Sequence, residues 1–226
     1  MKQLIKKMPL IGVIALWIKK QLFPSAEFTT SEDYWIDRYK KGGNSGAGSY
    51  NNLAYFKGEI INKFVSKEKI ETVIELGCGD GNQLEYFEFP SYIGFDISPI
   101  IIKICKEKFK QDESKQFLHL SKISSHRADL LLSLDVLYHL IEDQTYHNYL
   151  NELFDRAILY VIIYANNNDD SGNNPPHVKP RKFTNWITEN KQDFQLIEHI
   201  PNKYPSVKGD DSTSSFADFY IYKRNK

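Results

Sequence analysis

A chain of 226 residues that is 41% hydrophobic is long enough for one α/β domain with a sizeable core. Its 29 basic residues balance 29 acidic ones, so the total charge gives no argument for nucleic acid. Cys78 and Cys105 are too few, and too unlike a paired framework, for a disulfide scaffold or a metal site, which fits a reduced cytoplasmic setting.

The balance conceals an asymmetry. Residues 1–24 carry Lys2, Lys6, Lys7, Lys19 and Lys20 and no acid, which leaves 24 basic against 29 acidic residues in the remainder. The apolar run Met8 to Ile18 is too short to span a bilayer, for which about 20 residues are needed. As a signal peptide it is interrupted by Lys19 and Lys20 and lacks a good cleavage site. Leu4, Met8, Ile11, Ala15, Ile18 and Leu22 follow helical spacing, with Trp17 suited to the headgroup level. Two readings stand: a helix lying at the face of an anionic membrane, and one docked on the domain or on a second subunit. Pro9 and Gly12 weaken a regular helix in either case. We divide the chain into this segment, 1–24, and a domain over 25–226.

From Ser31, read as an N-cap, a helix runs to about Tyr39, with acids in its first turn and a stop at Gly42 and Gly43. Gly42 to Tyr50 has no apolar periodicity, and a structureless loop inside a domain this size is usually functional. Leu53, Phe56, Ile60, Ile61 and Phe64 form the buried stripe of a second helix. The β-branched run Thr72, Val73, Ile74 then reads as a strand covered on both faces, and it turns directly into Glu75-Leu-Gly-Cys-Gly-Asp-Gly81. Gly77, Gly79 and Gly81 supply a backbone that bends sharply and approaches a ligand closely. A dinucleotide fingerprint places its third glycine one step later, which disfavours a nicotinamide dehydrogenase.

A second short strand, Tyr92 to Asp96, ends in an acid 21 positions after Glu75. A carboxylate there suits a vicinal diol, because it accepts two hydrogen bonds. The run Ala128 to Leu140 contains a further buried strand and continues as Val136-Leu-Tyr-His139.

These ordered pieces resemble a class I S-adenosylmethionine-dependent methyltransferase over roughly Tyr50 to Tyr222. The resemblance implies a Rossmann-like sheet of seven strands, mostly parallel, with helices on both faces and an antiparallel C-terminal hairpin. It implies that Glu75, Gly77, Cys78, Gly79 and Gly81 hold the amino-acid part of S-adenosylmethionine. Asp96 and Ile97 would hold its ribose side, and Leu134 and Asp135 would complete the site from strand four. Many relatives bond adenine through an Asp after strand three; Leu118 to Ser121 offers none, and Ser121 is the substitute considered. It also implies that 42–50 closes over the cofactor as a lid. That segment further resembles ones in bacterial relatives associated with surface-polysaccharide chemistry, which suggests a sugar or glycan hydroxyl as acceptor.

Between these landmarks, Asn82 to Phe87 is expected to begin a crossover helix facing the ligand. Ser98 and Pro99 open another, through about Phe109. Lys115 to Leu120 and Ala157 to Tyr164 read as strands, and Glu142 to Phe154 as a helix. The polar stretch Asn166 to His177 builds no core. Its Asn174-Pro-Pro-His177 is similar to a motif of nucleic-acid amino methyltransferases, but it follows strand five instead of strand four and lacks the aromatic residue that stacks on a flipped base. His177, Lys179 and Arg181 are candidates to face an acceptor phosphate or carboxylate, against a solvated basic patch. A short helix near Thr184 to Glu189 and strands near Phe194 to Ile200 and Phe216 to Tyr222 close the chain.

His139, directly after strand four, is the candidate general base, with an ordinary pKa of ~6.5, against a histidine that packs or hydrogen-bonds to fix the turn before Glu142; Tyr138, Asp143 and His177 are the next candidates for the base. The expected activity is methyl transfer to a small-molecule or glycan acceptor, with no metal and no nucleic-acid partner. The other classes weighed are a non-catalytic S-adenosylmethionine-binding module and an aminopropyltransferase-like enzyme.

Overall fold

Alternation along the central strands decides the architecture of the computed structural model, which describes residues 28–169, 172, 174–210 and 212–225. The basic-apolar segment 1–24, with both readings of it, lies outside the described residues. Val73, Leu130, Leu132 and Ile162 point to one face of the sheet, whereas Ile74, Leu131, Val161 and Ile163 point to the other. Both faces are covered, which is why these strands read as continuous apolar runs.

The strands are β1 (Thr72–Leu76), β2 (Ser91–Asp96), β3 (Lys115–His119), β4 (Ala128–Leu134), β5 (Ala157–Ala165), β6 (Phe194–Ile200) and β7 (Asp218–Arg224). They form one seven-stranded sheet in the order β3-β2-β1-β4-β5-β7-β6. The pairs from β3 through β5 are parallel, and β7 runs antiparallel to β5 and β6. Helices α1 (Ser31–Lys40), α2 (Asn51–Glu68) and α3 (Pro99–Lys108) supply Tyr39, Phe56, Phe64 and Ile101 to the first face. On the second face α4 (Asp143–Asp155) and α5 (Phe183–Asn190) supply Tyr149, Leu150, Leu153 and Ile187. The expected fold is the observed one. Among the described residues no helix is long and apolar enough to cross a membrane.

Two local expectations are corrected. The crossover after β1 is only a 3₁₀ turn, Gln83–Tyr86. Space explains this: α2 lies so close that a Cβ on Gly58 would sit 2.8 Å from the Tyr86 carbonyl oxygen, and Asn62 bonds both Tyr86 and the Glu88 amide. At α1 the N-cap is Thr30, whose side chain accepts from the Asp33 amide. Ser31 instead binds across the chain, its amide and hydroxyl both donating to the Glu142 carboxylate. At α3 the Ser98 cap and Pro99 stand as expected.

The strand order reverses between β1 and β4. Parallel sheets bind ligands where connections diverge at such a point, and the glycine loop after β1 and Asp135 after β4 both lie there.

Candidate active site

Gly77, Gly79 and Gly81 all have positive φ, at 81°, 56° and 68°, a region that side-chain-bearing residues rarely adopt. Each also lacks room. A Cβ would fall 2.7 Å from Val136 at Gly77, 2.3 Å from the Ser45 hydroxyl at Gly79 and 2.8 Å from the Phe109 ring at Gly81. The loop is pinned to β2: the Gly77 and Cys78 amides donate to the Phe95 carbonyl, and the Gly79 amide donates to Asp96 Oδ2 at 3.1 Å. Asp96 Oδ1 accepts from the Ser98 amide at 2.8 Å. Burial pushes the Asp96 carboxyl up to about 6 despite these donors.

Glu75 lies beneath the loop. Its carboxylate is fully buried and accepts from the Tyr92 hydroxyl at 2.6 Å and the Gln83 amide at 2.9 Å. Burial raises its pKa to about 7 against those bonds.

The segment 42–50 folds onto the same loop. The Ser45 amide and the Tyr50 hydroxyl both donate to Asp80 Oδ2, and the Asp80 amide donates back to the Ser45 hydroxyl at 2.8 Å. Asn82 bonds the Ser49 carbonyl, and Arg38 holds the Asn44 carbonyl from α1.

At the end of β4, Asp135 is a non-glycine residue at φ 60°, its amide donating to the Tyr164 carbonyl. Its Oδ2 pairs with Lys57 Nζ at 2.7 Å, and its Oδ1 accepts from the Tyr138 hydroxyl at 2.8 Å. Lys57 is 0% exposed, and its ammonium lies 5.1 Å from the centroid of the Tyr164 ring. Segment 42–50 reaches this point too: a Cβ on Gly48 would lie 2.5 Å from Asp135 Oδ2.

His139 follows, packed edge-on against Trp35 with ring centroids 4.9 Å apart. Its Nδ1 lies 2.9 Å from the His177 carbonyl, which can only accept, so Nδ1 carries the proton and Nε2 the lone pair. Burial lowers the His139 pKa to about 4. The His177 ring stacks on Tyr34. Lys179 and Arg181 both pair with Asp143 at 2.7 Å, and Arg181 also bonds the carbonyls of Leu140 and Ile141. Those cations fasten the His139 turn, and neither is among the residues that line the cavity beside that turn.

A cavity of about 300 Å³ joins these parts. Of the residues anticipated from sequence, Gly77, Cys78, Gly79, Asp96, Ile97, Leu134, Asp135 and His139 line it. Glu75, Gly81 and Ser121 do not. Glu75 braces the loop from below, Gly81 faces Phe109 and Cys105, and Ser121 is bonded to His119. Leu120 lines the cavity instead of Ser121. Trp35 and Tyr39 went unanticipated, as did Lys57 behind Asp135, whereas Ser45 belongs to the expected lid, 42–50. For Lys57 a signal existed, a charge inside the apolar stripe from Leu53 to Phe64 of α2. Cys78 and Cys105 are free and buried, and among the described residues no cluster of ligands fits a metal.

A family model described as a methyltransferase domain matches residues 50–197. No curated protein matches the chain in sequence. Among solved structures it is similar to the N-methyltransferase NodS from Bradyrhizobium japonicum in complex with S-adenosyl-L-homocysteine, at 12% identity and TM-score 0.67, over 88% of this chain and 100% of that one. Magnesium protoporphyrin IX methyltransferase from Synechocystis, with S-adenosylmethionine bound, is similar at 14% identity and TM-score 0.59, over 89% and 100%. The methyltransferase domain of bacterial CtHen1 is similar at 18% identity and TM-score 0.57, over 77% and 100%. Likeness at these identities speaks to the fold, whereas the family match runs from the start of α2 into β6. The chain belongs to the methyltransferase domain family, among the class I S-adenosylmethionine-dependent methyltransferases.

Proposed function

We propose that S-adenosylmethionine lies across the carboxyl ends of β1, β2 and β4, and that its methyl group passes to a small-molecule acceptor entering on the Asp135 side. The observation that carries this reading is the meeting of Gly77 to Gly79, Asp96 and Asp135 in one cavity. The residues fit the donor. Gly77 and Gly79, which leave no room for a Cβ, form its cradle, a buried carboxylate at the end of β2 suits the ribose diol, and Ile97 and Leu120 offer apolar walls for adenine. The sulfonium supplies an activated methyl, so the protein's task is to align the acceptor and exclude water. Segment 42–50 serves that exclusion as a lid, latched by the reciprocal Ser45 and Asp80 bonds.

His139 Nε2 is suited to accept a hydrogen bond from the acceptor. A sugar hydroxyl, the acceptor suggested by the sequence, must surrender its proton as it is methylated, and a ring with pKa near 4 is a weak base for that. The lysines of residues 1–24 suit an anionic membrane surface, with docking on the domain or on a second subunit as the other reading of that segment.

The test is calorimetric titration with S-adenosylmethionine of the parent and of Asp96→Ala. Loss of a charged acceptor to the ribose is expected to weaken binding by about 1.5–3 kcal/mol. Parent protein without measurable affinity would overturn the donor assignment, and an affinity change below about tenfold would remove Asp96 from it.

A further inference from the structure

We infer that the methyl acceptor is a neutral amine, seated with one N–H on the Asp135 carboxylate; this rests on the methyl-transfer reading above. Asp135 lies between the two parts that must enclose the reacting methyl. Its neighbour Val136 abuts Gly77 of the donor loop, and Gly48 of the overlying segment abuts its own Oδ2. Each oxygen is held once by the protein, Oδ2 by Lys57 and Oδ1 by Tyr138. An ionised carboxylate offers about four lone-pair sites, so capacity remains for a ligand donor. The side chain keeps 12% exposure while Lys57 behind it has none, which puts the carboxylate, and not the ammonium, at the cavity wall. The arrangement is over-determined. A strained αL backbone is held by the Tyr164 carbonyl, and strain of this kind clusters at sites where a side chain must be aimed.

Proton and charge balance then select the acceptor class. When an amine attacks, its lone pair forms the C–N bond as the C–S bond breaks, and the C–S pair returns to sulfur. The product pair is a neutral thioether and a methylammonium that keeps both of its protons. Positive charge moves from sulfur to nitrogen, beside the carboxylate, and no residue takes a proton in that step; an acceptor that is an ammonium in water gives its proton to solvent before it is enclosed. A hydroxyl acceptor would need a base as well. The Asp135 charge is already balanced by the Lys57 ammonium, Asp96 is bonded to the amides of Gly79 and Ser98 and Glu152 to Arg156, Glu32 is exposed to solvent at the start of α1, and His139 is weakly basic. A carboxylate or phosphate acceptor would meet Asp135 with like charge.

Two measurements on the full chain test this. The first compares, by calorimetry, S-adenosylhomocysteine with sinefungin, in which an amine-bearing carbon replaces the methylsulfonium. Sinefungin is expected to bind at least about tenfold more tightly to the parent, and the preference is expected to vanish in Asp135→Asn. If Asp135→Asn fails to fold, the double variant Lys57→Met with Asp135→Asn, which leaves no buried charge unpaired, takes its place. Equal binding of both ligands by the parent, or a preference that survives the substitution, overturns the inference. So does a more than tenfold loss of S-adenosylhomocysteine affinity in Asp135→Asn, which would make Asp135 a donor residue.

The second measurement incubates the protein with methyl-labelled S-adenosylmethionine and a lysate split into cation-retained, neutral and anionic fractions. Label in cation-retained material as an N-methyl group, lost at least about tenfold with Asp135→Asn, is expected. Label in an O-methyl product overturns the amine assignment and leaves methyl transfer intact. Donor binding with no label in any fraction overturns methyl transfer, and the amine with it.

Discussion

The cavity has two unlike halves. The donor half, at the ends of β1 and β2, is built from backbone: three positive-φ glycines, amides aimed at the Phe95 carbonyl and at Asp96, and a buried brace in Glu75. The acceptor half, at the end of β4, is built from side chains that come from α1, segment 42–50 and α4, with Lys57 of α2 behind Asp135. Backbone geometry tolerates almost no residue change, whereas a wall of side chains can be rebuilt. A fixed donor and a variable acceptor therefore call for this division of construction.

Gly79→Leu puts the sharpest strain on the comparison. The residue would need φ near 56° with its Cβ 2.3 Å from the Ser45 hydroxyl, so the loop and the overlying segment would both have to move. Donor binding is expected to fall below detection in calorimetry while the circular dichroism spectrum is retained. Unchanged affinity would show that the donor half does not depend on this backbone.

Lys57→Met tests the other half through stability. Removing one partner leaves the Asp135 carboxylate poorly compensated at the cavity wall, which typically costs about 3–5 kcal/mol for a buried pair. Urea unfolding is expected to show a loss of that size, with much of it recovered when Asp135→Asn is added. A single variant as stable as the parent would mean that the pair does not organise this half.

The contrast between halves also explains what could be read in the sequence. The glycine spacing, Asp96 and the strand runs are local signals, because φ requirements and two-sided burial act on neighbouring residues. Their positions were legible, as was the antiparallel close. Glu75 was legible as part of the motif but not in its role; only the fold brings Tyr92 and Gln83 to it. The commitment of Arg181 and Lys179 to Asp143 spans 36 to 38 positions, and that of Lys57 to Asp135 spans 78, distances over which no periodicity speaks. The absent crossover helix has the same origin: a helix was expected after the glycine loop, and packing against Gly58 and Asn62 decided otherwise.

Glu75→Gln refines the account of the donor half. Glu75 has a pKa of about 7 when folded, against an ordinary carboxyl near 4.5. The native state therefore holds its proton more tightly than the unfolded chain does. This favours the native state fully below pH ~4.5, and the advantage is lost as pH rises through about 7. The implied difference is on the order of 3 kcal/mol for a fully buried group. Melting temperature should fall for the parent between pH 4.5 and 8, and the Gln variant, which keeps the shape and sheds the charge, should fall less. Parallel pH profiles would mean that burial of Glu75 does not strain the loop.

The smallest effect on either half is expected from deleting Met1 to Phe23. Helix α1 carries its own Thr30 cap, and Ser31 ties its first turn to Glu142, so the element that leads into segment 42–50 is anchored from within the domain. The truncated protein should melt within about 2 °C of the parent, less than the shift from 1 kcal/mol in a domain of this size, and should bind S-adenosylmethionine equally well. Its difference should appear at membranes. The five lysines ahead of Gln21 favour anionic lipid, so the full chain is expected to sediment with anionic vesicles at low salt and to be released as screening increases. The deletion variant should stay in the supernatant throughout. Equal sedimentation of the two proteins would reject the membrane reading and leave docking on the domain or on a second copy, and a changed melting temperature would select between these by its dependence on protein concentration.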